Sequence, residues 1–381
     1  MISDKKILHI FDPAIISQST IELFEKLNFN QRYLIIALHP EKWETFEEIS
    51  NVRIIDYHKE NVISILVDEI NDADIIFAQA LSYEKAKAIV RTKSKTKVFI
   101  WALWGYELYN IADYFKNNTS KDTSTTLRTN DGLLSKIKNY YVFNSVYKRA
   151  VQKLDICLFL LESDYKLLGE VIEHNATWRT TGYQTLESLI GQNGFDIHGD
   201  SVLLGNSSTP SNRHDLAFDY LSKVETLNRA IVSPLNYGDA AYRSATIKTG
   251  KDLFGEKFVP LVDFMPLNEY IEILKTCSHV ILPHQRQQGF GTIMTMLYGG
   301  AKLYLSEESP FYNWLKDLGI IVFSIEDDLS NELTSNLSLE SQKENRKIVS
   351  QYLAEDLITK QITDILVEAC QISKMKLSEK A

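Results

Sequence analysis

Short, unbroken apolar runs recur along the chain, separated by stretches with helical periodicity. "KKILHIF", "RYLIIALH", "NVRIIDY", "ADIIFAQA", "KVFIWALW" and "DICLFLL" read as strands. "STIELFEKLN" and "YEKAKAIVR" between them read as amphipathic helices. Runs that are apolar at every position predict a parallel sheet covered on both faces. A Gly- and Asn-rich segment, "GQNGFDIHGD" (191–200), reads as a linker. After it the alternation restarts with "SVLLGNS", "RAIVSPLNYG", "KFVPLVDF", "SHVILPH", "AKLYLS" and "IIVFS", with helical "NEYIEILKTC" and "FGTIMTMLYGG" among them. A last helical pattern, "SQYLAEDLITKQITDILVEACQISKM", closes the chain. The expectation is an α/β protein of two Rossmann-like domains facing one cleft, with ligand loops at the strand C-termini. Residues 1–195 form the first domain, 196–355 the second, and 356–381 a helix packing back on the first. "NNTSKDTSTTLRTNDG" (117–132) reads as a mobile loop.

The length of 381 residues fits two cores better than one. With 44% hydrophobic and 24% charged residues the composition is globular. A net charge of −9 argues against general nucleic-acid binding, which favours a basic face. Cys157, Cys277 and Cys370 are far apart in apolar or helical contexts, so they read as buried thiols in a reducing compartment. The N-terminus lacks a signal-peptide pattern, and no run approaches the roughly 20 apolar residues of a spanning helix. The expected location is cytoplasmic. His39, His58, His174 and His198 are scattered, and no HxxxH or DxD stands at a strand end, so no metal site is expected. There is no Gly-x-Ser-x-Gly elbow.

Candidate chemistry gathers where strands end. In "VLLGNSSTPSNRH" (202–214), Gly205 and Asn206 turn the chain, and Ser207, Ser208, Asn212 and Arg213 precede a helix. Free N–H groups at a helix start, with an Arg beside them, suit phosphate oxygens. A plain capped turn is the competing reading. In "HQRQQGFGTIM", Arg286, Gln287, Gln288, Gly289, Gly291 and Thr292 open a second helix. The glycines permit close backbone approach and the helix dipole favours an anion. The segment is neither GxGxxG nor a Walker loop. Phe264 and Met265 in "LVDFMPLNEYIEIL" could border a base, or staple a helix start. Tyr237 in "SPLNYGD" stands at the same edge. In the first half, "FIWALWGYELYN" crowds Trp101, Trp104, Tyr106 and Tyr109 around Glu107. Aromatic faces suit sugar rings and the carboxylate suits a general base, with a core aromatic cluster as the alternative. His9 and Asp12, at the end of the first strand, offer a second acid or base. Finally, "SKIKNYYVFNSVYKRAVQKL" (135–154) mixes Lys136, Lys138, Lys148, Arg149 and Lys153 with tyrosines and Phe143. Such a helix can lie on an anionic membrane, or be half-buried in an ordinary way.

Taken together, "GNSSTPSNRH", "SPLNYGD", "LVDFMPLNEYIEIL", "RQQGFGT…GGAKLYLSEESPFY" and "WALWGYELY" resemble the bacterial N-acetyl-4-amino-fucosyltransferase family of enterobacterial common antigen synthesis. The resemblance implies a GT-B fold, and transfer of a deoxy- or amino-deoxyhexose from a dTDP-sugar to a polyprenyl-diphosphate-linked glycan. It implies no cofactor and no bound metal. The nucleotide-sugar donor would sit in the second half, on Asn206, Ser207, Ser208, Asn212, Arg213, Tyr237, Arg286, Gln287, Gln288, Gly289, Gly291 and Thr292, with Phe264 and Met265 flanking the base. The lipid-linked acceptor would meet Trp101, Trp104 and Tyr106 in the first half. Glu107 is the first candidate base and Asp12 the second. The basic–aromatic helix would dock the enzyme on an anionic membrane, peripheral to the inner face of the plasma membrane. The family's acid in the Trp-Gly stretch is Asp where this chain has Glu107. Two other functions suit the same fold: a nucleotide-sugar epimerase and a non-catalytic glycan- or nucleotide-binding subunit.

Overall fold

The apolar runs become two parallel sheets in a computed structural model that describes residues 4–43, 46, 49, 51–119, 133–191, 194–224, 229–333 and 335–379. The strands of the first sheet are β1 (Lys6–Phe11), β2 (Asn30–Ala37), β3 (Val52–Asp56), β4 (Ile75–Gln79), β5 (Val98–Ala102), β6 (Ile156–Leu158) and β7 (Thr177–Arg179). Their order is β3-β2-β1-β4-β5-β6-β7. Strand β1 shows why its run is apolar throughout: Leu8 and Ile10 enter the core on one face, Ile7 and Phe11 the core on the other. The helix Glu355–Ser378 supplies Ile358, Ile362 and Leu366 to that second core. Arg179–Glu368 and Lys376–Asp155 ion pairs, at 2.6 Å each, pin it there.

The second sheet contains β8 (Ser201–Leu204), β9 (Ile231–Pro234), β10 (Phe258–Leu261), β11 (Cys277–Leu282), β12 (Lys302–Leu305) and β13 (Phe323–Ser324), in the order β10-β9-β8-β11-β12-β13. Val202, Leu204, Ile281 and Tyr304 form its core with Ala217, Phe218 and Leu221 from the helix His214–Leu221. Both sheets therefore reverse direction beside their first strand, between β1 and β4 and between β8 and β11. Crevices at such switch points are where doubly wound sheets bind ligands.

The chain divides into Met1–Tyr183 with Ile358–Ala381, and Gln184–Leu357. The first boundary thus falls earlier than residue 195, and "GQNGFDIHGD" is no linker where it is described. Phe195 is buried, and a Cβ on Gly299 would come within 2.5 Å of its ring. The His198 and Gly199 N–H groups bond to the Lys275 carbonyl. One buried aromatic and two backbone bonds hold a polar segment that composition marks as loose. Strand β7 has no counterpart among the expected strands, because a three-residue edge strand of Thr, Trp and Arg carries no apolar run. The segment expected as a helix at 135–154 is helical without a break as far as Val151, with a π-helical middle: α-helix Leu133–Tyr140, π-helix Tyr141–Tyr147 and α-helix Lys148–Val151. Of the loop expected at 117–132, residues 117–119 end the helix Tyr106–Thr119, and the rest lies outside the described residues. All three cysteines are free and buried. Among the described residues no helix is long and apolar enough to cross a membrane.

Candidate functional site

The β8–β11 switch point in the second unit brings together the two loops that the sequence singled out. Gly205 leaves β8 with a φ of +69°, and a Cβ there would meet His214 Nε2 at 2.6 Å. The loop then folds around Asn212, which is fully buried. Its Oδ1 accepts from the Asn206 N–H at 3.0 Å, and its Nδ2 donates to Ser207 Oγ at 2.8 Å and Thr209 Oγ1 at 2.9 Å. Ser207 and Ser208 are buried as well. Ser208 Oγ donates to the Tyr237 carbonyl at 2.6 Å, and the Asp239 N–H returns to the Ser208 carbonyl at 3.0 Å. Gly238, at φ +119°, is obligatory in that seam, since a Cβ would stand 2.6 Å from the Ser208 carbonyl carbon. Asn212, Ser207 and Ser208 therefore build the loop rather than project from it. This corrects the expectation that their side chains offer themselves to phosphate.

The loop after β11 meets this scaffold through one side chain. Gln288 Nε2 donates to Asn206 Oδ1 at 2.8 Å, and its Oε1 accepts from Ser211 Oγ at 2.7 Å. Gly289 follows at φ +72°, where a Cβ would stand 3.3 Å from Asn206 Nδ2, and is the N-cap of the helix Phe290–Gly299. That helix begins at a glycine, so no side chain caps it from the N-cap position. Gly291 and Thr292 lie in its first turn, beside Leu189 and Gln184 in the case of Gly291. Arg286 and Gln287 are half-buried in the preceding loop. Tyr237 is 55% exposed and Phe264 74% exposed, with Met265 half-buried. Arg213 is held in the left-handed region, at φ 47°, and pairs with Asp215 at 3.2 Å. His284, which opens this loop, is fully buried against Phe311, and burial pulls its pKa down to about 4.

The β1–β4 switch point of the first unit holds a second cluster. Asp12 follows β1 directly and has a side chain 29% exposed. It pairs at 3.0 Å with Lys85 Nζ, and the Tyr106 hydroxyl approaches Oδ2 at 3.5 Å. Asp12 also lines a cavity of about 600 Å³ with Leu38, His39, Lys42, Trp43, Tyr57 and Glu84. Sequence reading missed this cavity. Most of its residues follow β2 and β3 in "LHPEKW" and "DYHKE", where no glycine or aromatic run drew attention, and Glu84 comes from the helix after β4.

Glu107 has a different character. It is 3% exposed, in the first turn of the helix Tyr106–Thr119. Its Oε1 accepts from Trp101 Nε1 at 3.2 Å and from the Trp104 N–H at 3.0 Å. Burial raises its pKa, opposed by those hydrogen bonds and by the Lys85 charge. Its geometry is that of a carboxylate closing its own helix start. Trp101 is fully buried, edge-on to Phe159 at 4.9 Å, so it is a core residue and not a sugar platform. Trp104 is half-buried and Tyr106 is 50% exposed. His9 is also a core residue: it stacks on Tyr33 and Phe77, bonds to Gln31 at 2.9 Å, and burial lowers its pKa to about 3.

On the third candidate surface, Lys136, Lys138, Lys148 and Arg149 are exposed, as are Ile137, Tyr140 and Tyr141. Lys153 does not belong with them. Its ammonium donates to the carbonyls of Ile89, Val90 and Thr92 and so caps the end of the helix Tyr83–Arg91. Among the described residues no cluster of three or more His, Cys, Asp or Glu is placed to hold a metal ion.

The architecture is shared with solved structures. The chain is similar to Anabaena HepE in complex with UDP-glucose, at 12% identity and a TM-score of 0.68, covering 96% of this chain and 100% of that one. It is similar to a glycosyltransferase from Rickettsia africae at 13% identity and a TM-score of 0.59, covering 96% and 98%. A Listeria monocytogenes protein assigned as a UDP-N-acetylglucosamine 2-epimerase matches at 14% identity and a TM-score of 0.57, covering 94% of each chain. The fold is GT-B, two Rossmann-like domains as in these proteins. Residues 187–355 match the family described as 4-alpha-L-fucosyltransferase glycosyl transferase group 56. That segment contains both loops joined by Gln288.

Proposed function

We propose that this protein transfers a deoxy- or amino-deoxyhexose from a nucleoside diphosphate, dTDP in the first instance, to the hydroxyl of a lipid-linked glycan. The observation that carries the reading is the Gln288–Asn206–Ser211 junction. It locks two strand-end loops around the start of the helix Phe290–Gly299, within the segment that matches a fucosyltransferase family. HepE, which shares the fold, has been solved with UDP-glucose. In the reaction the acceptor oxygen attacks the anomeric carbon, the bond from that carbon to the diphosphate breaks, and the acceptor proton passes to a carboxylate. The N–H groups at the start of the helix Phe290–Gly299 stabilise the departing diphosphate, the role a cation fills elsewhere. Activity is therefore expected to survive chelation. Asp12, half-exposed at the mouth of the cavity, is the base in this reading, and Glu107 shapes its surroundings. The cavity, with Trp43 and Tyr57 beside His39 and Lys42, receives the acceptor glycan and its phosphate. The exposed set Lys136, Ile137, Lys138, Tyr140, Tyr141, Lys148 and Arg149 docks the enzyme on an anionic bilayer.

Thermal unfolding in equal excess of dTDP, UDP, GDP and CMP tests the donor reading. A ligand at 100 times its Kd adds roughly 2.7 kcal/mol. A stabilisation by dTDP that Gln288→Ala abolishes is expected, and no stabilisation by any nucleotide refutes the site. Co-sedimentation with anionic vesicles tests the surface: changing Lys136, Lys138, Lys148 and Arg149 to Ser is expected to release the protein, and retained binding removes the docking claim.

A further inference from the structure

Lys85 sits in the first turn of the helix Tyr83–Arg91 and has no solvent exposure. Both facts weigh against a lysine. A cation near a helix start opposes the helix dipole, and a buried ammonium needs a partner for each of its three protons. The chain provides all three. Lys85 Nζ donates to the Gln79 carbonyl at 2.5 Å and the Ala80 carbonyl at 3.2 Å, and pairs with Asp12 Oδ2 at 3.0 Å. Ala80 takes the left-handed conformation, φ 57°, unusual for a residue with a Cβ, in the turn that makes the second contact. No other ionised group described is so fully enclosed and so directly aimed at the switch-point crevice.

We propose that Lys85 is the positioning residue of the transfer reaction. Its ammonium ties down Oδ2 of Asp12 and leaves Oδ1 to take the proton of the acceptor hydroxyl. The inference rests on the reading of Asp12 as base. The lysine fixes the rotamer of a half-exposed carboxylate beside the cavity. The other titratable groups facing Asp12 are the Tyr106 hydroxyl, Glu84, and His39 and Lys42 across the cavity, with Glu107 and Tyr147 behind them. Glu84 is engaged by the Tyr57 hydroxyl at 3.0 Å, and Glu107 by Trp101 and Trp104. Lys85 is thus the only cation among the described residues in contact with the Asp12 carboxylate. Burial pulls the Lys85 pKa below the usual lysine range, and the Asp12 charge opposes that pull.

The test measures acceptor-dependent release of nucleoside diphosphate from the full chain across pH, for wild type, Lys85→Met, Lys85→Gln, Asp12→Asn and the double variant Asp12→Asn/Lys85→Met. Lys85→Met is expected to lower kcat at least tenfold at neutral pH while the donor KM stays within twofold. The double variant should be no worse than Asp12→Asn alone, because the lysine acts through the aspartate. If Asp12→Asn is inactive but Lys85→Met keeps the wild-type kcat, the positioning role is overturned and the base reading stands. If Asp12→Asn keeps its activity, the base reading itself falls. Should neither Lys85 variant fold, Asp12→Asn alone decides. Deprived of its counter-charge, the buried ammonium must lower the Tm at pH 7 and lower it less at pH 10. A Tm difference that does not change with pH overturns the pairing.

Discussion

Replacing Asn212 with leucine keeps the volume of the side chain and removes every bond that its amide makes to the loop after β8. Three interactions go. The Asn206 N–H loses its acceptor, and Ser207 Oγ and Thr209 Oγ1 lose a donor. The two hydroxyls still have each other at 3.0 Å, and Thr209 also has Ser211 at 3.1 Å, so neither is stranded. The Asn206 N–H is the stranded group, at a cost of about 1–3 kcal/mol, and the two lost hydroxyl bonds add about 1 kcal/mol each at most. The expected loss is about 2–4 kcal/mol, read by urea unfolding of the Gln184–Leu357 unit with a local fluorescence probe. Gln288 reaches the loop through Asn206, so the junction loosens too. Nucleotide affinity should fall by about ten- to a hundredfold, since about 1.4 kcal/mol of reorganisation is a factor of ten. Isothermal titration with dTDP measures it. A variant that loses under 1 kcal/mol and binds nucleotide like wild type would refute the idea that Asn212 preorganises the site.

Glu107→Gln keeps an oxygen for Trp101 Nε1 and the Trp104 N–H, so transfer should fall less than tenfold, whereas Glu107→Leu strands both donors and should cost about 2–4 kcal/mol in unfolding assays. Asp164 is buried with one oxygen accepting from the Tyr109 hydroxyl at 2.8 Å, and burial raises its pKa from 3.8 to about 6. Its folded form holds the proton more tightly, so its stabilising contribution is full below pH 3.8 and lost as pH rises through about 6. The loss is about 3 kcal/mol by linkage, and Asp164→Asn should flatten that slope in denaturant titrations between pH 4 and 7. Lys153→Met should destabilise by about 1–2 kcal/mol through the uncapped helix carbonyls and leave vesicle binding unchanged, which separates it from the four exposed cations.

The strands were legible because a parallel strand buried on both faces has no polar position to disguise it; β1 and β11 are apolar or enclosed at nearly every residue. The paired loops were legible for a related reason, since glycine with positive φ is needed at 205, where β8 turns sharply, and at 289, where the helix Phe290–Gly299 begins. The division of labour within those loops was not. An Asn that builds a loop and one that faces a ligand have the same letter, and only the burial of Asn212 separates it from Asn206. Lysines misled twice. Lys85 in "YEKAKAIVR" and Lys153 in "QKL" sit in amphipathic patterns that place cations on a solvated face, yet one is sealed under Asp12 and the other caps a helix. Trp101 and Trp104 are three residues apart, and strand alternation followed by a turn sends one into the core and leaves the other half-buried. The cavity at Asp12 draws on residues after four different strands, β1 to β4, a juxtaposition that depends on sheet order and has no local signature.

The most direct test of the account is release of nucleoside diphosphate from a dTDP-sugar, measured with and without a polyprenyl-diphosphate-linked glycan in anionic vesicles. The account predicts release that depends on the acceptor, with glycan mass rising by one deoxyhexose residue, and its loss in Asp12→Asn and Gln288→Ala. Turnover of the nucleotide sugar alone, with no transfer to any acceptor, would make the protein an epimerase, and binding without turnover would make it a non-catalytic subunit; either result contradicts the account.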